Sequence, residues 1–304
     1  MKKENKFILI YLAAFTYSII TGLSFIFGKI ALQFSNPIDL LAYRFLASVL
    51  GVFFLVLFKV IKIELNIKKI LKVTPLALLY PFLFFTFQTF GLQSAPAIEA
   101  GIITAAIPIF TLIGSTIFLK ERSNKWQVIS IIASVSGVIY LTVMKNSSVE
   151  VGSFNGVLFI LLSTISFAAY TILARILTQQ FSSKELTAVM VILSFVLFLA
   201  IALFKNIGNN TLNQFLRPLK EFEFILSVLY LGLLSTFGTS FLTNYVLSHL
   251  EASKMAVFAN FGTIVTIAAS VILLNERLYL YHIIGSILIV GGVLGANFLD
   301  KKKS

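Results

Sequence analysis

The sequence predicts an all-α membrane protein, with ten transmembrane helices arranged as two inverted five-helix repeats, residues 1–149 and 150–304. Three observations predict it. Apolar runs of membrane-crossing length recur along the whole chain. Lysine and arginine collect on one side of those runs. The second half repeats features of the first at an offset of 155 residues.

The apolar runs come first. Hydrophobic residues fill 58% of the 304 positions and charged residues only 12%, about half the share usual in soluble domains. A span needs about 20 mostly apolar residues. Candidate spans lie at 8–32, 38–58, 73–93, 97–119, 126–144, 155–175, 186–204, 224–248, 253–274 and 279–298. Turn signals divide them: Ser35-Asn36-Pro37 before the second, Ser94-Ala95-Pro96 before the fourth, and the Gly/Asn-rich stretch from Asn206 to Asn210 after the seventh. The first run follows Lys2, Lys3 and Lys6 but is too long for a signal-peptide core, so it reads as a retained helix. The runs are continuous, whereas barrel strands alternate.

Charge then sets the topology. Ten spans put both termini on one face. Of the 24 basic residues, 17 fall on that face and 5 on the other, with Lys29 and Arg44 inside spans. The positive-inside rule makes that face cytoplasmic. The net charge of +12 is thereby a topology signal, and no nucleic-acid partner is expected. The partners expected are the lipid bilayer of the cytoplasmic membrane and a small-molecule substrate. No oligomeric state follows from the sequence.

The repeat is the third observation. An offset of 155 aligns Leu119-Lys120-Glu121-Arg122 with Leu274-Asn275-Glu276-Arg277, and Gly137-Val138 with Gly292-Val293. It also pairs Ala97 with Ala252, Ile109 with Ile264 and Thr111 with Thr266. A unit of five spans crosses the membrane an odd number of times, so its copy enters from the opposite face. Inverted repeats of this kind are the architecture of alternating-access carriers.

These residues resemble the drug/metabolite transporter superfamily, specifically its ten-helix EamA-type transporters. Gly91-Leu92-Gln93-Ser94-Ala95 resembles the small-residue junction of that family, and Ala100 to Pro108 its small-residue helix leading to proline. Leu119-Lys120-Glu121-Arg122 with Gly137-Val138 resembles its Glu-containing loop and following glycine, and Pro37 to Arg44 its Pro-x6-Arg element. The second half departs from the pattern, with Gly262-Thr263 where the first has Ile107-Pro108. The resemblance implies a secondary transporter moving a small organic metabolite, an amino acid or related compound, across the cytoplasmic membrane by alternating access, with export among its directions. A passive channel or facilitator for small solutes is the alternative.

Ionisable residues inside spans default to functional hypotheses. Lys29, Asp39, Arg44 and Glu99 fall near one set of helix ends, and Arg175, Glu185 and Lys254 near the other. An offset of 146 places Lys29 on Arg175 and Asp39 on Glu185, and the offset of 155 places Glu99 on Lys254. They are the candidate gates, with Lys29 and Glu99 as an expected pair. The competing role for each is snorkelling to the headgroups. Tyr17, Thr21, Gln88, Tyr170, Asn244 and Asn260 are the polar residues expected around a midplane substrate cavity. Their competing role is interhelical hydrogen bonding. Gly22, Gly101, Gly232 and Gly285 are expected to let helices approach closely.

No phosphate-binding Gly-x4-Gly-Lys-Ser/Thr loop occurs, and neither a nucleophile-elbow nor a zinc-protease motif is present. No cofactor, metal site or enzymatic activity is expected. His249 and His282 are expected in loops facing solvent.

Overall fold

The computed structural model describes residues 2–59, 67–118, 125–146, 152–250 and 252–298. Among these the chain is helical throughout, with short connections: α1 (Lys2–Ala31), α2 (Pro37–Leu57), α3 (Ile67–Ala77), α4 (Phe84–Ser94), α5 (Ala97–Thr104), α6 (Ile107–Phe118), α7 (Lys125–Asn146), α8 (Gly152–Leu177), α9 (Ser183–Gly208), α10 (Leu212–Leu216), α11 (Phe222–Leu229), α12 (Thr239–Leu247), α13 (Ala252–Leu273) and α14 (Leu280–Phe298). Seven described helical stretches are long and apolar enough to cross a membrane, and two shorter apolar helices, Phe261–Leu273 and Leu280–Gly292, accompany them. The expected junction at Ser94-Ala95-Pro96 separates two such stretches, Lys69–Ser94 and Ala97–Gly114.

The helices start where the sequence supplies caps. Asn36 precedes Pro37, whose fixed φ and missing N–H suit the first helical position, and the Asn36 side chain accepts from the Asp39 N–H at 3.1 Å. At the corresponding point of the second half, Ser182 and Glu185 form a capping box. The two devices lie 146 residues apart.

Two long helical stretches are interrupted midway. A π-helical segment, Leu78–Leu83, joins α3 to α4, and a second, Tyr230–Gly238, joins α11 to α12. In the first, Pro81 lacks an N–H and pushes the residue before it out of the helical region; Tyr80 is extended, with φ −147° and ψ 127°. Such segments re-aim side chains and recur at functional sites. The first segment, moved by 155 residues, falls inside the second.

Helix pairings follow the same offsets. α1 packs on α13 and α12, while α8 packs on α5, α6 and α4. α2 packs on the second π segment and α9 on the first. α2 also packs on α9, and α7 on α14.

Close approach explains several glycines. A Cβ on Gly22 would lie 2.5 Å from the Gly262 carbonyl oxygen, so α1 and α13 meet backbone to backbone. Thr266 donates to the Gly22 carbonyl at 2.9 Å across the same contact. Gly101 accommodates the Thr266 side chain, and Thr263 donates to its carbonyl at 3.0 Å. The outside of the bundle is apolar: Phe53, Phe54, Phe204, Phe222, Ile272 and Leu280 are all exposed, as a lipid-facing surface requires.

Candidate functional site

The interior holds an aromatic cluster built from both halves. Tyr80 stands at its centre, with ring centroids 5.2 Å from Phe84, 5.3 Å from Phe85, 5.2 Å from Phe167 and 4.6 Å from Tyr170. The break at the first π segment aims Tyr80 inward, where its hydroxyl meets Thr239 Oγ1 at 3.3 Å. No sequence signal singled out this tyrosine among its aromatic neighbours.

A cavity adjoins the cluster. It is lined by Tyr17, Thr21, Ser24 and Phe25 of α1, by Tyr80, Phe84, Phe85 and Gln88, by Thr104 and Ile107, by Phe167 of α8, and by Ser235, Thr239, Gly262 and Thr263. Three lining pairs stand 155 residues apart: Tyr80 and Ser235, Phe84 and Thr239, Ile107 and Gly262.

Tyr17, Thr21 and Gln88, three of the six expected cavity residues, line it. Thr21 spends its hydroxyl proton on the Tyr17 carbonyl at 2.8 Å. Tyr17 and Gln88 differ. Each is 4% exposed, and neither the Tyr17 hydroxyl nor the Gln88 amide has a hydrogen-bond partner among the described residues. Both side chains line the cavity, and their polar atoms keep hydrogen-bonding capacity that no described protein group uses. Tyr170 and Asn244 do something else: the Tyr170 hydroxyl donates to Asn244 Oδ1 at 2.8 Å, and Asn244 Nδ2 donates to Thr187 Oγ1 at 2.9 Å. Those three form a satisfied polar tie between α8, α9 and α12 beside the cavity. The Asn260 side chain lies outside the described residues.

Arg44 is 3% exposed and sits against the cavity wall, in contact with the lining residues Ser235 and Phe85. Its Nε donates to Thr236 Oγ1 at 2.6 Å and its Nη2 to Ser235 Oγ at 2.9 Å. Its guanidinium carbon lies 3.6 Å from the centroid of the Phe85 ring, a cation–π contact. No carboxylate among the described residues forms a salt bridge with it.

The remaining expected gate residues occupy the two ends of the bundle. At the end where α1 finishes, Asp39 accepts from Asn206 Nδ2 at 2.8 Å and lies 3.6 Å from Lys205 Nζ. Lys29 is half-buried in the last turn of α1. Glu99 lies in the first turn of α5, with its Oε1 3.8 Å from His282 Nε2. At the opposite end, Glu185 lies 3.5 Å from Lys69 Nζ, and Arg175 donates to the Leu247 carbonyl. The Lys254 side chain lies outside the described residues, as does the loop holding Leu119-Lys120-Glu121-Arg122.

His282 corrects an expectation. It is buried rather than solvent-facing, whereas His249 is exposed. His282 occupies the third position of α14, and its Nδ1 accepts from the Tyr279 N–H at 3.1 Å. That bond fixes the ring and turns Nε2 toward Glu99. The turn before α14 does similar work: Asn275 adopts φ 53°, and the next residue, Glu276, accepts from the Ala97 and Ile98 N–H groups at 2.8 and 2.9 Å. One member of the repeated Leu-x-Glu-Arg element thereby caps α5 of the other half.

Comparison with known proteins agrees with this architecture. The sequence profile of the EamA-like transporter family matches the chain twice, over residues 8–143 and 154–298. The uncharacterized transporter YcxC of Bacillus subtilis is 46% identical over 294 residues, spanning 97% of this chain and 94% of its own. A transporter from Archaeoglobus fulgidus is 29% identical over 90% of this chain and 92% of its own. A relative from Rickettsia prowazekii named S-adenosylmethionine uptake transporter is 27% identical over 71% of this chain and 68% of its own. A solved crystal structure superposes with a TM-score of 0.66 at 16% identity, covering 96% of this chain and 99% of that one.

Proposed function

Because the chain belongs to the EamA-like transporter family, we propose that it is a secondary carrier that moves a small organic metabolite across the cytoplasmic membrane by alternating access. Its two halves, 1–149 and 150–304, are five-helix units inserted in opposite senses, with both termini in the cytoplasm. The solute, an amino acid or related compound, binds between them.

The observation that carries this reading is the cavity itself. Both halves wall it, and they do so from positions 155 residues apart. The exchange of helix pairings under the same offsets supports a two-fold relation lying in the membrane plane. In such a machine the outward form of one half becomes the inward form of the other. The ion pairs then act as gates: Asp39 with Lys205 at one end, and Glu185 with Lys69 at the other. Each pair separates when its end opens.

Counterflow in proteoliposomes tests the carrier reading. Purified protein is reconstituted, loaded with unlabelled solute and given labelled solute outside. Preloading accelerates uptake in a carrier, because the loaded form returns faster. Uptake indifferent to preloading marks a passive facilitator and contradicts the proposal.

A further inference from the structure

Arg44 has a property that the gating pairs lack. Asp39, the nearest acidic residue on its own helix, is engaged by Asn36, Asn206 and Lys205. Among the described residues, Arg44 is left with two hydroxyls and the face of Phe85. A buried cation without a counter-charge is unfavourable, and proteins pair such groups or use them. The fold does not require a cation here, because the position 146 residues on, which matches Arg44 in the second half, is Met190, fully buried and apolar.

The charge is also placed to act on the cavity. Phe85 and Ser235, which touch the guanidinium, are both lining residues. Ser235 Oγ accepts from Arg44 and donates to no described group, so its own proton is available to the cavity. A chain therefore runs from Arg44 Nη2 through the Ser235 hydroxyl to the solute. Beyond it, Tyr17 and Gln88 offer unpaired polar groups, and Tyr80, Phe84 and Phe167 offer ring surface. Among the described residues, no acidic side chain lines the cavity.

We propose that the transported solute carries a carboxylate, and that Arg44, acting through Ser235, is the residue that selects it. One cation neutralises one negative charge, so a monocarboxylate suits the cavity better than a dianionic phosphate. The aromatic lining suits an apolar or aromatic body on the same molecule. The inference rests on the carrier reading for the claim that the bound molecule is the one moved.

The test uses matched solutes: a panel of aliphatic and aromatic monocarboxylates, amino acids included, each beside its primary amide and its methyl ester. Binding to the purified full-length protein is read as a rise in the thermal unfolding midpoint, since a ligand of the folded state stabilises it. At least one acid is expected to raise the midpoint, with its amide and ester binding about tenfold more weakly or worse, as loss of a charged hydrogen bond implies. Arg44→Gln is expected to erase the difference between acid and amide, Arg44→Lys to retain part of it, and Ser235→Ala to reduce it in a protein whose Arg44 remains. Acids that produce no shift, amides that bind as well as their acids, or a preference for the acid that survives in both Arg44→Gln and Ser235→Ala would overturn the assignment. The same acids are then run in counterflow. Arg44-dependent binding with no counterflow would overturn the carrier reading and leave the carboxylate assignment standing.

Discussion

Glu276 reaches across the interface between the two halves to the first turn of α5, where its carboxylate accepts from the backbone N–H of Ala97 at 2.8 Å and of Ile98 at 2.9 Å. The first N–H groups of a helix have no partner within it, and a negative charge there also interacts favourably with the helix dipole. Here the chain supplies both from a turn 179 residues away. Removing the cap should cost about 0.5–2 kcal/mol. Glu276→Ala is therefore expected to lower the thermal midpoint of the purified protein, and Glu276→Gln to lower it less. A Glu276→Ala protein as stable as wild type would contradict the capping role.

Glu99 and His282 should behave as a coupled pair. Both are buried, and the Tyr279 N–H bond to Nδ1 holds the imidazole in place. Their interaction is measurable as a double-mutant cycle on unfolding free energy, using Glu99→Gln, His282→Phe and the double variant. Residues in contact usually show coupling of about 0.5–3 kcal/mol. Additive effects would mean that the two side chains act independently.

Two glycines separate packing from mere occupancy of a helix. Gly22 has no space for a Cβ against α13, while a Cβ on Gly291 meets nothing within 4 Å. Gly22→Ala is expected to destabilise by about 1–3 kcal/mol, the usual cost of overpacking, whereas Gly291→Ala should be neutral or slightly stabilising through helix propensity. Thermal unfolding of the two variants side by side checks this. Equal midpoints would contradict the close α1–α13 contact.

The polar residues should divide into two classes. Tyr17 and Gln88 have no hydrogen-bond partner among the described residues, so Tyr17→Phe and Gln88→Leu are expected to leave stability near wild type while weakening solute binding by about tenfold, one lost hydrogen bond each. Asn244 bonds Tyr170 and Thr187, so Asn244→Leu is expected to cost about 1–3 kcal/mol of stability by stranding buried partners. Midpoints and binding constants measured on the same preparations distinguish the classes. A Tyr17→Phe variant that loses stability and keeps its binding would reverse the assignment.

Much of the helical plan was legible because its causes are local. Asn36-Pro37 and Ser182 with Glu185 announce helix starts by their own chemistry, and continuous apolar runs can only be helices in lipid. Leu-x-Glu-Arg marked the repeat, and its second copy proved to hold a cap joining the halves. The site was legible only in part, because contact between distant helices leaves little local trace. Tyr17, Thr21 and Gln88 were found as polar residues inside apolar runs. Tyr170 and Asn244 gave the same signal, yet they satisfy one another. His282 sits at the edge of its run, where position suggests water, and only the packing of α14 against α5 buries it. Arg44 was legible as a charge in a span; that it bonds Ser235 and Thr236 depends on the second π segment.

In the proposed alternating-access carrier the cavity opens to one face as it closes to the other. The chain contains no cysteine, so a single Ser24→Cys substitution, isosteric and in the cavity lining, provides a probe without background. Its labelling by a membrane-impermeant thiol reagent is measured in vesicles of both orientations, with Asp39 intact and as Asp39→Asn. Breaking the Asp39–Lys205 pair should raise labelling from the face where that pair lies and lower it from the opposite face. Labelling that rises from one face with no fall from the other, or that is confined to one face in both proteins, would contradict alternating access.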